Sequence, residues 1–373
     1  MSDAQAPGIG RRLAMREFLA ASGWGEAAIA PLPGDASTRH YARLTLGDRR
    51  AMLMDQPQLA ETPVAPADAT AGQRRALGYN AMARLAGADC ARFAAAAEYL
   101  RGLGLAAPDI LAADHAQGFA ILEDLGDALF ADVLAVGANE TELYKAAVEV
   151  LARLHALAAP QSIGPGKPLF TYDETALIAE TDLLTEWFLP LALGRKATAE
   201  EIEDHRGLWR AALKDLAQER RVFVHRDFHA QNLLWLPARQ GVARVGLIDF
   251  QDAVAGSPAY DLVSLIEDAR RDVSAAVAGA AVDHYLAAMR AAGTPPDEAA
   301  FRHEMAVMAA QRNAKIVGIF ARLYLRDAKA RYLSLLPRVW GHLARDLEHR
   351  GLADLRAWYD RVIPVEKRTI AEP

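Results

Sequence analysis

One cysteine, Cys90, occurs in 373 residues. No disulfide can form within the chain, which reads as a protein of a reducing compartment, and the lone thiol reads as a small core side chain. Dense blocks of lysine and arginine are missing, and the formal charge is −6; nucleic acid is not expected as a partner. Long apolar runs are missing too. The most apolar long stretch, Val273–Val282, is Ala-rich and about half of the ~20 residues needed to cross a bilayer, so no membrane association is expected. Met1–Arg12 has no apolar core, so no signal peptide is expected and the location reads as cytoplasmic. No G-x₄-G-K-[ST] phosphate loop occurs; Gly164-Pro-Gly-Lys-Pro is a turn with a lysine in it.

What is present is Phe223-Val-His-Arg-Asp-Phe-His-Ala-Gln-Asn232, followed after a further apolar stretch by Leu247-Ile-Asp249-Phe. An H-R-D-x₄-N run with a second Asp beyond it is the arrangement phosphoryl transfer needs. Asp227 accepts the proton of an attacking hydroxyl, while Asn232 and Asp249 hold the Mg²⁺ that neutralises a triphosphate. The segments Arg221–Val224, Leu233–Leu236 and Val245–Ile248 are β-prone, which places Asp227 and Asn232 on a loop and Asp249 at a strand end. Loops held by short rigid strands are where catalytic groups sit. His225 and His229 have the i, i+4 spacing of zinc helices, but Arg226 stands next to the first histidine where such an enzyme needs Glu. Zinc is rejected, and His225 is read as a brace for the loop.

Periodicity predicts a helix over Arg12–Ser22, a three-strand meander over Ile29–Asp55, and helices over Tyr79–Leu85 and Ala91–Gly102. Proline-rich 56–76 reads as an insertion or mobile loop. Two strands follow within Ala106–Asp114 and Gly118–Asp127. Beyond them the pattern is mainly helical: Glu142–Leu157, Glu174–Leu193, Ala199–Leu216, Tyr260–Arg270, and four more helices to about Val362. A strand-rich first third and a helical remainder predict an α+β fold. It is the bilobal, protein-kinase-like layout, with a small β-rich N-lobe (10–125) and a larger, mainly helical C-lobe (126–363) and nucleotide between them.

The chain resembles the aminoglycoside-phosphotransferase/choline-kinase superfamily, and within it the bacterial N-acetylmuramate/N-acetylglucosamine anomeric kinases of cell-wall recycling. The resemblance is carried by Leu32-Pro-Gly-Asp-Ala-Ser-Thr-Arg39-His-Tyr-Ala-Arg43, Met54-Asp-Gln-Pro, Leu122-Glu-Asp-Leu-Gly-Asp127, His225–Asn232, Ile248-Asp-Phe-Gln-Asp252, Ser257-Pro-Ala-Tyr-Asp261 and Gln311-Arg-Asn-Ala-Lys-Ile-Val-Gly318. These segments span nearly the whole chain. The resemblance implies ATP-dependent phosphorylation of an anomeric hydroxyl, with ATP as co-substrate and Mg²⁺ as metal. The same fold also serves aminoglycoside, choline or other small hydroxyl acceptors, and a nucleotide-binding pseudokinase is a third reading. Oligomeric state is not set by the sequence, and a monomer is compatible with it.

Site residues follow from the same resemblance. Gly34, Asp35, Ser37 and Thr38 would cover the phosphates, and Glu123 and Leu125 would present backbone to the adenine edge. Asp261 would brace the catalytic loop, and Glu98 is the candidate for the helix glutamate of kinases. For the acceptor, Trp187 could stack on a sugar and Glu180 could accept from its hydroxyls. Arg312 and Lys315 could meet a lactyl carboxylate. One kinase feature is missing: strand three reads Arg50-Ala-Met-Leu-Met-Asp55, with Met54 where a phosphate-binding lysine belongs. Alternation puts Arg39, Tyr41 and Arg43 on one strand face, so Arg39, helped by Arg43, is expected to supply the charge.

Overall fold

In the computed structural model, which describes residues 8–370 except 34–38, 58–65, 67, 86–88, 215 and 217–220, the first third builds one antiparallel sheet. Its strands are β1 (Ala28–Pro31), β2 (His40–Leu46), β3 (Arg49–Asp55), β4 (Ile110–Asp114) and β5 (Phe119–Leu122), in the order β1-β2-β3-β5-β4. The register follows side-chain alternation. Ala42, Leu44, Ala51, Leu53, Phe119 and Ile121 face the first helix, Ile9–Ala21, through Phe18 and Leu19. Met54, Ala120 and Leu122 point the other way, into the main core with the helix Cys90–Gly102. Phe18 stacks on Phe119 with ring centroids 5.6 Å apart. Gly118 is required where β5 begins: with φ at 74°, an added Cβ would lie 2.2 Å from the carbonyl oxygen of Gln56.

Residues 56–76 are not all loop. Ala71–Leu77 is helical, started by a reciprocal capping box between Thr70 and Gln73. Cys90 is buried, and burial pushes its thiol up to about 11.

The remainder is helical around short strand pairs. Leu233–Trp235 pairs antiparallel with Val245–Leu247, and Val222–Val224 pairs with a strand the sequence reading did not predict, Val254–Gly256. Four helices follow residue 270, ending at Val362, as periodicity predicted; the longest, Glu298–Asp327, crosses the lobe. The single helix expected over Glu174–Leu193 is instead interrupted by a π-bulge at Leu184–Phe188. Pro190 has no N–H to give to the preceding turn, which accounts for the break. The long helix crosses just there, and Gly318 allows it: an added Cβ would sit 2.4 Å from the backbone of Leu183.

Candidate active site

A cavity of about 580 Å³ opens between the sheet and the helical lobe, with Arg39 and Gln56 on the sheet side. Asp227, Asn232 and Asp249 line it together, and Arg270, Arg312 and Lys315 form part of its far side.

The loop carrying Asp227 is held from beneath. Asp261, fully buried, accepts hydrogen bonds from the backbone N–H groups of His225 at 2.6 Å and Arg226 at 2.9 Å. Burial pushes its carboxyl up to about 7 against the pull of those two donors. His225 is buried edge-on against Phe228 and Phe250, and burial keeps it neutral by lowering its pKa. Arg226 takes a left-handed backbone at φ 76°, and Asp249 does the same at φ 64°. Such conformations cost non-glycine residues about 1–3 kcal/mol and gather at functional sites.

With the backbone so fixed, the Asp227 carboxylate faces the cavity and accepts no hydrogen bond among the described residues. Burial raises its pKa, but Lys315, His229 and Arg226 outweigh that and bring it down to about 2. It is therefore an ionised acceptor across the physiological range. The side-chain nitrogen of Asn232 donates to the Asp227 carbonyl at 2.9 Å, which leaves its oxygen for the cavity. Asp249 Oδ1 accepts from Arg39 at 2.7 Å and from Gln251 at 2.9 Å. An amide oxygen and a carboxylate on one cavity wall suit Mg²⁺, a hard cation that takes one or two protein carboxylates and completes its shell with phosphate and water.

The nucleotide side differs from the expectation in three places. Arg43 does not reach the cavity. It is committed to Asp124 at 2.7 Å and Asp127 at 2.7 Å, tying β2 to the segment after β5. Glu98 is exposed. The residue of its helix that reaches the segment after Asp249 is Arg92, which donates to the carbonyls of Gln251, Ala253 and Pro168 at 3.2, 3.2 and 2.7 Å. Met54 is fully buried in the core, so no cation stands at its position. Arg39 does line the cavity, nearly buried and bonded to Asp249; Asp249 and Tyr41 outweigh burial and keep it cationic. Glu123 bonds Arg239 at 2.5 Å, and its N–H goes to the Asp109 carbonyl at 2.8 Å. Leu125 keeps its N–H and C=O without a backbone partner among the described residues. Gly34, Asp35, Ser37 and Thr38 lie outside the described residues.

Two acceptor expectations are corrected. Glu180 is 1% exposed and does not line the cavity. It is bonded by Arg226 at 2.5 Å, Lys315 at 3.0 Å, Gln311 at 3.2 Å and the Tyr172 hydroxyl. Burial raises its pKa, but Lys315 and Arg226 prevail and lower it. Trp187 sits on the π-bulge against the core and does not line the cavity, because the bulge and the crossing helix turn it there. Arg312 and Lys315 do line it, though both are engaged. Arg312 donates to the Glu267 carbonyl at 3.2 Å, and Lys315 donates to the Tyr260 hydroxyl at 3.1 Å besides its pair with Glu180.

A profile of the phosphotransferase enzyme family matches residues 28–296, which includes β1 to β5, the Asp227–Asn232 loop and Asp249. The chain belongs to that family. Members with assigned substrates include an N-acetylmuramate/N-acetylglucosamine kinase of Caulobacter vibrioides, 44% identical over 96% of this chain and 98% of that protein. A kinase of the same name from Pseudomonas aeruginosa is 33% identical over 91% and 90%. Among solved structures, a choline/ethanolamine kinase family protein from Mesorhizobium loti shares the fold with a TM-score of 0.55 at 16% identity, covering 93% of this chain and 98% of that one. An ADP-bound aminoglycoside phosphotransferase, APH(2'')-Ib, does so with a TM-score of 0.54 at 13% identity, covering 94% and 99%. This phosphotransferase thus has the two-lobed α+β fold of small-molecule kinases. Among its described residues no helix is long and apolar enough to cross a membrane.

Proposed function

We propose that this phosphotransferase moves the γ-phosphoryl group of ATP to the anomeric hydroxyl of N-acetylmuramate or N-acetylglucosamine, giving a sugar 1-phosphate for cell-wall recycling in the cytoplasm. The observation that carries the reading is the match to curated amino-sugar kinases along almost the whole chain, joined to a cavity whose one hydrogen-bond-free carboxylate among the catalytic trio is Asp227.

In this reading Asp227 holds the sugar hydroxyl and takes its proton late in the transfer, as a loose transition state requires of a weak base. Asn232 and Asp249 would hold Mg²⁺, which when bound with ATP neutralises charge on the β- and γ-phosphates. Arg39 is placed to share that work on the sheet side, and Leu125 offers its backbone to the adenine edge. Asp261 and His225 keep the loop in place without touching substrate.

The test is chemical. The methyl glycoside of either sugar, blocked at C1, should not be phosphorylated, and the product of the free sugar should be acid-labile. An acid-stable phosphate would move the transfer to an ordinary hydroxyl.

A further inference from the structure

The long helix presents a stripe of residues to the cavity: Arg312, Lys315, Ile319, Arg322 and Arg326, at helical spacing. Most of its cations are engaged. Lys315 is neutralised by Glu180, Arg312 is hydrogen-bonded at Glu267, and Arg326 pairs with Asp327 at 2.7 Å. Arg322 is different. Its Nε is buried without a hydrogen-bond partner, and its guanidinium lies over the Tyr79 ring at 5.1 Å. Arg270, also on the cavity wall, makes no side-chain hydrogen bond or ion pair among the described residues; only its backbone N–H is bonded, to Asp268 at 2.8 Å.

A buried guanidinium N–H without an acceptor is costly, and Arg322 Nε on the same cavity wall as the unengaged Arg270 calls for an anion. Lys315 lines the same cavity as Asp227. Arg322 lies seven residues further along the helix, a rise of about 10 Å. The stripe thus carries cationic side chains along the cavity wall well beyond Lys315.

We propose that Arg322 and Arg270 form the subsite for the carboxylate of the acceptor. They would thereby discriminate N-acetylmuramate, which carries a carboxylate on its lactyl ether, from N-acetylglucosamine, which has none. This rests on the amino-sugar reading and moves the carboxylate contact from Arg312 and Lys315 to two other arginines. Planar guanidinium groups suit a carboxylate because they can donate two parallel hydrogen bonds.

The experiment is steady-state kinetics of wild type, Arg322→Gln, Arg270→Gln and Arg322→Lys with both sugars, varying sugar and ATP separately. In each Gln variant the ratio of kcat/KM for N-acetylmuramate to that for N-acetylglucosamine should fall roughly tenfold or more. The fall should come through KM for the muramyl sugar, and Arg322→Lys should recover part of it. The methyl ester of N-acetylmuramate should lose the same advantage with wild type and lose little more with the variants. Equal losses with both sugars, or a rise confined to KM for ATP, would overturn the inference and assign the arginines to structure or to the triphosphate. Wild type that turns over both sugars with an unmoved ratio in the variants overturns this inference alone. Wild type that turns over neither overturns the amino-sugar reading and this inference with it.

Discussion

The catalytic loop and the cluster behind it are both charged, both in the larger lobe and joined through Arg226, yet they treat their carboxylates in opposite ways. Glu180 accepts from two cations, an amide and a phenol and is sealed from solvent. Asp227 accepts from none of the described residues and faces the cavity. Cations lower the pKa of both carboxyls, so charge state does not separate them. What does is whether the lone pairs are already in use. A saturated carboxylate orders the protein; an unsaturated one on a cavity wall is available to a substrate.

The strongest way to break the comparison is to neutralise Asp227. Asp227→Asn should lower kcat by about 10²–10⁴-fold, the usual weight of a general base, with nucleotide affinity and melting temperature nearly unchanged. More than a tenth of wild-type turnover would remove Asp227 from the chemistry. Glu180→Gln should do the reverse. It strands Arg226 and Lys315 in the interior and should destabilise the fold by roughly 3–5 kcal/mol, read by denaturant unfolding. Undiminished stability with a raised KM for the sugar alone would restore Glu180 as a sugar ligand.

Asp261 sharpens the contrast, being buried and saturated by N–H groups rather than by cations. Its carboxyl is raised to about 7, so the folded protein holds this proton more tightly than the unfolded chain does. Its contribution to stability is complete below about pH 4 and is lost as the pH rises to about 7. Between pH 5 and pH 8, wild type should lose about 3 kcal/mol of unfolding free energy relative to Asp261→Asn. A constant difference would mean that the two N–H donors keep the carboxyl ionised throughout. The smallest effect is expected on the sheet side. Arg39→Ala should raise KM for ATP about tenfold, the worth of one charge-assisted bond; an unchanged constant would mean that no cation replaces the lysine missing at Met54.

The same division governs what could be read before the fold was known. That Asp227, Asn232 and Asp249 come to one cavity wall is legible because their placement is local: one loop, one strand end and a fixed spacing. The sheet and the four last helices follow from alternation and periodicity. Glu180, Trp187 and Arg43 were misassigned because a side chain's partner is set by elements distant in sequence. Glu180 meets Gln311 and Lys315 on the crossing helix, and Arg43 meets Asp124. Arg92 escaped notice because its acceptors are backbone carbonyls, most of them more than 150 positions away, and no side-chain pattern records those. Two signals were available and unused: Pro190 marked the break after Leu183, and Gly318 in a long helix marked a close crossing.

Phosphorus NMR of reactions run side by side with ATP and N-acetylmuramate, N-acetylglucosamine or kanamycin decides which acceptor and which hydroxyl receive the phosphoryl group. An anomeric phosphate, coupled to the C1 proton, is expected with both amino sugars, and no product with kanamycin. Phosphorylated kanamycin with the two sugars untouched would contradict the amino-sugar reading.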